Sequence, residues 1–589
     1  MTGDALDEIG RRRGARQSSD GHDYLTAYEA ALTRAGTPSV IVLVLADGAL
    51  TTACTFGERW PEAEVHVLHP RSAGEVVGVA TGQDRPANVH VHAFTGPRER
   101  RDLQAVLPRP DLLVEAFVSE TASKIAALRQ MHGYVRAGGI YAVEGIDRAP
   151  GDRSESDAGP SVRAVIEDVV ARVERRLPKR GWATWQDTVA RTLAAVTYHR
   201  DLALLTKSEP LLRMLRTAET EPLLTARYGD DSPVETLLTH DRYTFTSRAS
   251  ITSVGEGPAV LEGELTVPTR QLRAYADVVT YPRQLVSYGD FWLPDTFRHQ
   301  QAAHLGHHGL IRSGDRLTYM RPRWRPALRR RWDGGPLFYL DSEFAGHFGH
   351  VTTEVVSRLW GWDEARARHP ELRPLMSLRP GQTDVPAFAR EILAGFGIDP
   401  DSLVVQSGDE ALEVPLLLAA DPQFENPRYA DLALGDTWRR IADGLGEVVS
   451  PVAAEKVFIS RGGRRACLQG PRVERFFRRR GFAVVRPEHY SYGEQVRLFQ
   501  QARIIAGYGG SGLFTMMHAP QARVVIISGD GYVAQNEALI AAVNGNDLHY
   551  FWGQTERRPP DPRKRKTVFA DDFSFDLRRH ARALRQLAH

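Results

Sequence analysis

The residues best suited to chemistry lie in one run, Gly507-Tyr508-Gly509-Gly510-Ser511-Gly512. An apolar stretch with Ile504 and Ile505 precedes it, and a helix-like stretch from Leu513 to His518 follows. Strand, tight glycine loop and helix start, in that order, make an anion cradle: unspent backbone N–H groups and the positive helix end face one phosphate. An ordinary βα turn has the same pattern. Lys456-Val-Phe-Ile-Ser-Arg461 lies one βα unit upstream and offers cationic partners. Arg461 and Arg465, with the backbone of Gly509, Gly510, Ser511 and Gly512, are therefore the candidate clamp for a diphosphate. Glu488 and Gln495 flank the same expected cleft. Ordinary alternatives are a surface ion pair for Arg461 and a helix cap for Glu488.

A second set is His350 and Glu354, four residues apart and so on one helical face. A histidine that titrates near neutrality can take a proton from an attacking hydroxyl, and a carboxylate can orient it. His347 and Glu343 stand close by in sequence. A divalent-metal site wants a carboxylate pair at a strand end. The triplet Asp399-Pro-Asp401 reads instead as a turn before Leu403, so no metal ligands are assigned.

These residues need a frame. A chain of 589 residues, 42% hydrophobic and 25% charged, suits a soluble protein of two to four domains. Net charge is +2, so no overall field favours nucleic acid, and no nucleic-acid partner is expected. Basic runs at Arg321–Arg331, Arg478–Arg480 and Arg563–Lys566 read as solvated faces, with an anionic partner as the sharper alternative. Cys54 and Cys467 are too few for a disulfide framework or a cysteine-rich zinc site. The polar start lacks an apolar signal core, and the longest apolar run, Val40 to Ala46, is too short to span a bilayer. The expected location is the cytoplasm, with peripheral contact at the inner membrane face left open.

Residues 1–22 look disordered. From Tyr24 to Thr206, apolar strands alternate with helical segments, which implies a parallel sheet covered on both faces. Val196–His199 and Leu202–Leu205 look like a closing hairpin. Residues 208–250 read as a connector, 251–435 and 436–560 as two further α/β lobes, and 561–589 as a basic, helical tail.

Residues 23–207 resemble a class I methyltransferase of the Rossmann type. The resemblance rests on Val40–Gly57, on Asp111-Leu-Leu-Val-Glu115 and on Leu128–Glu144 with its Gly138-Gly139 pair. Asp47, Gly48 and Glu144 are the matching remnants of an S-adenosylmethionine site. The first loop reads Ala46-Asp47-Gly48-Ala49, without a G-x-G turn, and the second strand ends in His69 where a ribose-holding carboxylate belongs. S-adenosylmethionine binding is not expected.

Residues from about 250 to 560 resemble glycosyltransferase family 61. Three segments carry this: Gly346-His-Phe-Gly-His350-Val-Thr-Thr-Glu354…Arg358-Leu359; Lys456–Arg465; and Gly481–Glu488 leading through Gln495 into the glycine loop. Where the family's loop commonly has histidine and asparagine, this chain has Gly509 and Thr515. The resemblance implies two Rossmann-like lobes in a GT-B-like arrangement. It implies an inverting, metal-independent transfer from a nucleotide sugar to a glycan or polysaccharide precursor, with His350 and Glu354 catalytic. No cofactor is required. The alternatives are a bifunctional methyltransferase and glycosyltransferase, or a noncatalytic binding or assembly protein.

Overall fold

The computed structural model describes residues 5–44, 50–70, 85–115, 121–147, 160–173, 184–313, 316–557 and 561–588. The chain is α/β and divides into two compact units. The first comprises Met1–Ser232, Gly289–Trp292 and His308–Trp324; the second comprises Pro233–Tyr288, Leu293–His307 and Arg325–His589.

In the first unit the apolar runs become β1 (Val40–Val44), β2 (Glu64–Pro70), β3 (Val89–Phe94), β4 (Leu112–Glu115), β5 (Ile140–Val143), β6 (Leu193–His199) and β7 (Leu202–Lys207). Their order is β3-β2-β1-β4-β5-β7-β6. The first five are parallel, and the expected hairpin, β6 with β7, closes the sheet antiparallel to β5. β1 and β4 are almost wholly buried because both sheet faces are covered, which is why they read as unbroken apolar runs.

Residues 6–13, expected to be disordered, form α1 (Leu6–Arg13). Arg11-Arg12-Arg13 masks an apolar face: Leu6 and Ile9 are buried while the arginines stay outward. α2 (Leu25–Ala35) and α3 (Leu50–Arg59) follow. Residues 208–232, expected to be connector, belong to this unit. Strand Leu212–Met214 pairs with Phe291–Trp292 and Leu317–Met320, and Leu317–Met320 pairs with Leu310–Ser313; Ile311, Leu317 and Tyr319 pack with Tyr134 and Leu211.

The second unit contains β8 (Val234–His240), β9 (Ser250–Val254), β10 (Arg270–Tyr281), β11 (Leu285–Tyr288), β12 (Leu337–Tyr339), β13 (Arg373–Ser377), β14 (Val404–Gln406) and β15 (Glu410–Ala420). It continues with β16 (Lys456–Ile459), β17 (Ala483–Val485), β18 (Ile504–Tyr508), β19 (Arg523–Gly529) and β20 (Asp547–Thr555). One sheet runs β11-β10-β15-β12-β13-β14, with β8 also on β10. Its centre, β10 against β15, is antiparallel, so this lobe is a mixed sheet rather than a simple parallel one. The other sheet runs β9-β20-β19-β18-β16-β17 with these six strands parallel, and Phe573–Ser574 pairs antiparallel with β20. β9 comes almost wholly from residues expected in the lobe 251–435, yet it pairs with β20, beyond that lobe. Lobe boundaries drawn in strict chain order fail because the chain crosses back between sheets.

Four helices of this unit matter below: α4 (Ala387–Phe396), α5 (Gly470–Arg478), α6 (Tyr492–Gln501) and α7 (Asn536–Asn544). The tail ends in α8 (Leu577–Leu587), which buries Leu584 against the parallel sheet.

Candidate functional site: a cleft at the glycine loop

β18 delivers the chain to the glycine loop, and Ser511 opens a helical run to His518 made of tight three-residue turns. Its neighbour β16 ends at Ile459 and delivers Arg461 to the same edge. In a parallel sheet the strand ends align, so a loop and a cation from different strands meet there. Arg461 Nη1 donates to the Gly509 carbonyl at 3.0 Å. Gly510 has φ of 137°, and a Cβ there would lie 2.3 Å from Arg461 Nη1 and 3.0 Å from Arg465 Nη2. Only glycine permits both this backbone and this approach. Two guanidinium groups therefore converge on one turn.

Arg465 reaches it from a left-handed position, φ 59°. Its guanidinium packs on Tyr532 at 5.0 Å and Phe569 at 4.8 Å. Its Nη1 is buried and makes no hydrogen bond with the described residues. Burial, then the neighbouring Arg465 charge, lowers the Arg461 pKa to about 10. Two like charges held this close favour an anion between them.

The loop amides are not all unspent. Gly509 N donates to Ile527 O, and Gly510 N donates to Glu537 Oε1 at 2.9 Å. Glu537, fully buried on α7, also accepts from Tyr532 Oη at 2.8 Å. Burial raises its carboxyl above the usual range. The anion cradle expected from all four residues thus narrows to Ser511 and Gly512, the first two residues of the helical run.

Arg461, Glu488, Gln495, Ser511 and Gly512 all line one cleft of about 480 Å³, within the size range of small-molecule sites. Phe348, Phe388 and Tyr492 cluster in its lining, with the Phe348 ring 5.1 Å from Phe388 and 6.2 Å from Tyr492. Glu488 is exposed at the wall. Gln495 is buried and spent on structure: its Nε2 donates to Tyr490 O at 3.1 Å, which fixes the turn below the cleft. Lys456 does not join them. It starts β16, at the far end from Arg461, and its Nζ donates to Ala588 O.

His350 and Glu354 do meet, with Nδ1 to Oε1 at 2.9 Å. They lie on a helical run from Phe348 to Arg368 that opens to wide π turns at Val351–Val355 and tightens after Val356. Glu354 also takes Arg298 Nη2 at 2.8 Å and Ser342 Oγ at 3.2 Å. Burial pushes this carboxyl up, but His350 and Arg298 outweigh it and hold it at about 2. The His350 ring stacks on Phe344, 4.3 Å between centroids. The cleft lining reaches Phe348 on this run, and His350 lies beyond it. A Cβ on Gly349 would sit 2.9 Å from Ser511 Cβ, so the run begins directly against the glycine loop. Glu343 and His347 flank it; burial, then His350, lowers the His347 pKa to about 4. Arg358, deeper in the run, donates to Ala420 O at 2.7 Å and anchors it to β15. Asp399 accepts from Asp401 N, as a turn residue does.

In the first unit Glu144 follows β5 and is buried. Tyr28 Oη donates to its Oε1 at 2.8 Å, and Gln17 Nε2 to its Oε2 at 3.2 Å. Thr52 Oγ1 in turn donates to Gln17 at 2.6 Å. Burial raises the Glu144 carboxyl to about 7. Asp47 and Gly48 lie outside the described residues.

Glu537, Tyr532, Phe569 and Phe388 escaped the sequence reading. Glu537 had one signal, an acidic residue in the first turn of a helix, and that has a common local explanation.

Residues 348–526 match the family model Glycosyltransferase 61. No curated protein matches the chain. Among solved structures, the N-terminal part is similar to S-adenosylmethionine-dependent methyltransferases. The MycE methyltransferase of the mycinamycin pathway, solved with Mg, SAH and mycinamycin VI, aligns at 13% identity and TM-score 0.28 over 35% of this chain and 55% of its own. A putative O-methyltransferase from Klebsiella pneumoniae aligns at 15% identity and TM-score 0.22 over 35% of this chain and 92% of its own. This chain thus spans about half the length of MycE. No helix of the described residues is long and apolar enough to cross a membrane. The segment from Phe348 to Ile526, which holds the cleft, is what the Glycosyltransferase 61 family model recognises in this protein.

Proposed function

We propose that the second unit transfers a sugar from a nucleotide sugar to a glycan or polysaccharide precursor, with inversion and without a metal. The observation that carries this is the convergence of Arg461 and Arg465 on Gly510. Two fixed cations and the Ser511 and Gly512 amides supply what a departing diphosphate needs. The aromatic cluster in the cleft lining suits the donor's base, and Glu488 suits a sugar or ribose hydroxyl. In the step itself the acceptor oxygen attacks the anomeric carbon, the bond to the diphosphate breaks, and the acceptor proton passes to His350. Its Nδ1 rests on Glu354, which leaves Nε2 to receive that proton. The two sheets of this unit would serve as the lobes of a GT-B-like arrangement.

The first unit, in this reading, is a scaffold or acceptor-binding module that no longer uses S-adenosylmethionine. Both Glu144 oxygens are engaged by the chain's own donors, which favours this over a bifunctional enzyme. The test is a thermal-shift panel of nucleoside diphosphates in chelator. A ligand of the native cleft raises the melting temperature. A panel with no shift, or a shift unchanged in Arg461→Ala, overturns the proposal in favour of a noncatalytic protein.

A further inference from the structure

A second cationic site lies outside this cleft. Two segments about a hundred residues apart, α5 with the turn after it and α8, pack side by side. Between them is a groove of about 600 Å³ lined by Arg472, Arg475, Arg479, Arg480, Arg578 and Arg585, with no carboxylate in its lining. The helices build it because each is strongly amphipathic. Val473 and Phe477 bury one face of α5, and Leu584 that of α8. Arg472, Arg475 and Arg479 recur at helical spacing on the opposite stripe of α5, and Arg578 and Arg585 do so on α8.

The nearby carboxylates are committed elsewhere. Glu474 accepts from Ser460 and Arg478, and Asp576 caps the first turn of α8. Arg480 is pinned, with its guanidinium 3.6 Å over the Phe476 ring and Nη1 on the Phe476 carbonyl. Arg472, Arg475, Arg479, Arg578 and Arg585 make no ion pair or side-chain hydrogen bond with the described residues. A solvated charge run is local in sequence. Here the tertiary fold gathers like charges from two segments into one concavity, at an electrostatic cost that an anion removes.

We propose that this groove binds an anionic saccharide chain, one bearing carboxylate, sulfate or phosphate groups. A row of planar guanidinium forks matches such groups two bonds at a time. The one aromatic ring in the groove is already covered by Arg480, so no stacking platform remains for the bases of a single-stranded nucleic acid. The charges line a concavity, whereas a bilayer surface is flat. The groove also adjoins the cleft through one helix. Gly470, the first residue of α5, accepts from Tyr508 Oη at 3.4 Å, and Glu474 accepts from Ser460 Oγ at 2.7 Å; Tyr508 and Ser460 both line the cleft. α5 is nine residues long, about 14 Å. A chain whose reacting end lies at the cleft extends naturally along it. The saccharide identity and the link to an acceptor rest on the glycosyl-transfer reading; the binding of a polyanion does not.

The experiment uses the full chain, without donor, and fluorescently labelled oligogalacturonate as probe. Uncharged dextran, single-stranded RNA and phosphatidylglycerol vesicles are the comparators. Oligogalacturonate is expected to bind, to weaken with salt and to outbind all three. Arg475→Ala/Arg479→Ala and, separately, Arg578→Ala/Arg585→Ala should each lower affinity about tenfold or more. Both pairs are exposed, and each acts as a folding control for the other. Arg461→Ala should leave glycan binding intact while losing the nucleotide shift, so the two readings fail separately. Equal binding of dextran, preference for RNA or vesicles, or unchanged affinity in both double variants overturns the proposal.

Discussion

Two strand-end sites in this chain use the same kind of architecture to opposite effect. After β5, Glu144 has both oxygens met by Tyr28 and Gln17, and Gln17 is met by Thr52. After β16 and β18, Arg465 keeps a buried N–H without a hydrogen-bond partner among the described residues, and two guanidinium groups crowd one glycine. Burying a polar group without a partner costs free energy. A ligand that completes such a group offsets that cost. The contrast teaches how to tell a site that awaits a ligand from one that has closed on itself: by which polar groups remain unspent, not by which motif residues survive.

The largest effect should come from the open site. Arg461→Ala is expected to lower kcat/KM for transfer by about 10²–10³-fold. Steady-state kinetics with a nucleotide sugar would check this, and a variant within twofold of the parent would remove the difference between the sites. His350→Asn should cut kcat by about 10²-fold while leaving the nucleoside diphosphate thermal shift in place. Loss of both together would mark His350 as a folding residue.

The closed site should speak through stability. The Glu144 carboxyl titrates at about 7 in the fold and near its ordinary value when unfolded. Between those values the folded state holds one more proton than the unfolded state. Stability therefore falls as pH rises from about 4.5 to about 7 and levels off above, by about 3 kcal/mol at most. Glu144→Gln should flatten that slope in urea titrations across the range and leave transfer unchanged. A slope that survives the substitution assigns it to another group. Smallest of all, Gly510→Ala should cost about 1–3 kcal/mol through its positive φ and displace Arg461. Its nucleotide affinity should drop further than its melting temperature suggests.

Sequence patterning made the parallel sheets legible, because strands covered on both faces must be continuously apolar. It also named Arg461 as a partner of the glycine loop, but it could not show that β16 and β18 are neighbours, since β17 lies between them in the chain. It missed α1, where three arginines conceal the two apolar residues that dock it. It misplaced Lys456, although strand direction alone separates the first residue of β16 from the loop after its last. The partnership of Gly510 with Glu537 was out of reach. It joins residues 27 apart through packing, and no local pattern announces it. The wide turns around Glu354 were likewise invisible, since His350 and Glu354 are four apart in either helical geometry.

One consequence follows from that partnership. Glu537 ties down the loop backbone during folding, before any substrate arrives. The entropy of freezing this segment is charged to the folded state and not to the encounter. The empty and occupied turns should superpose, recognition should proceed without a closing motion of the loop, and its calorimetric signature should be dominated by displaced water and charge neutralisation.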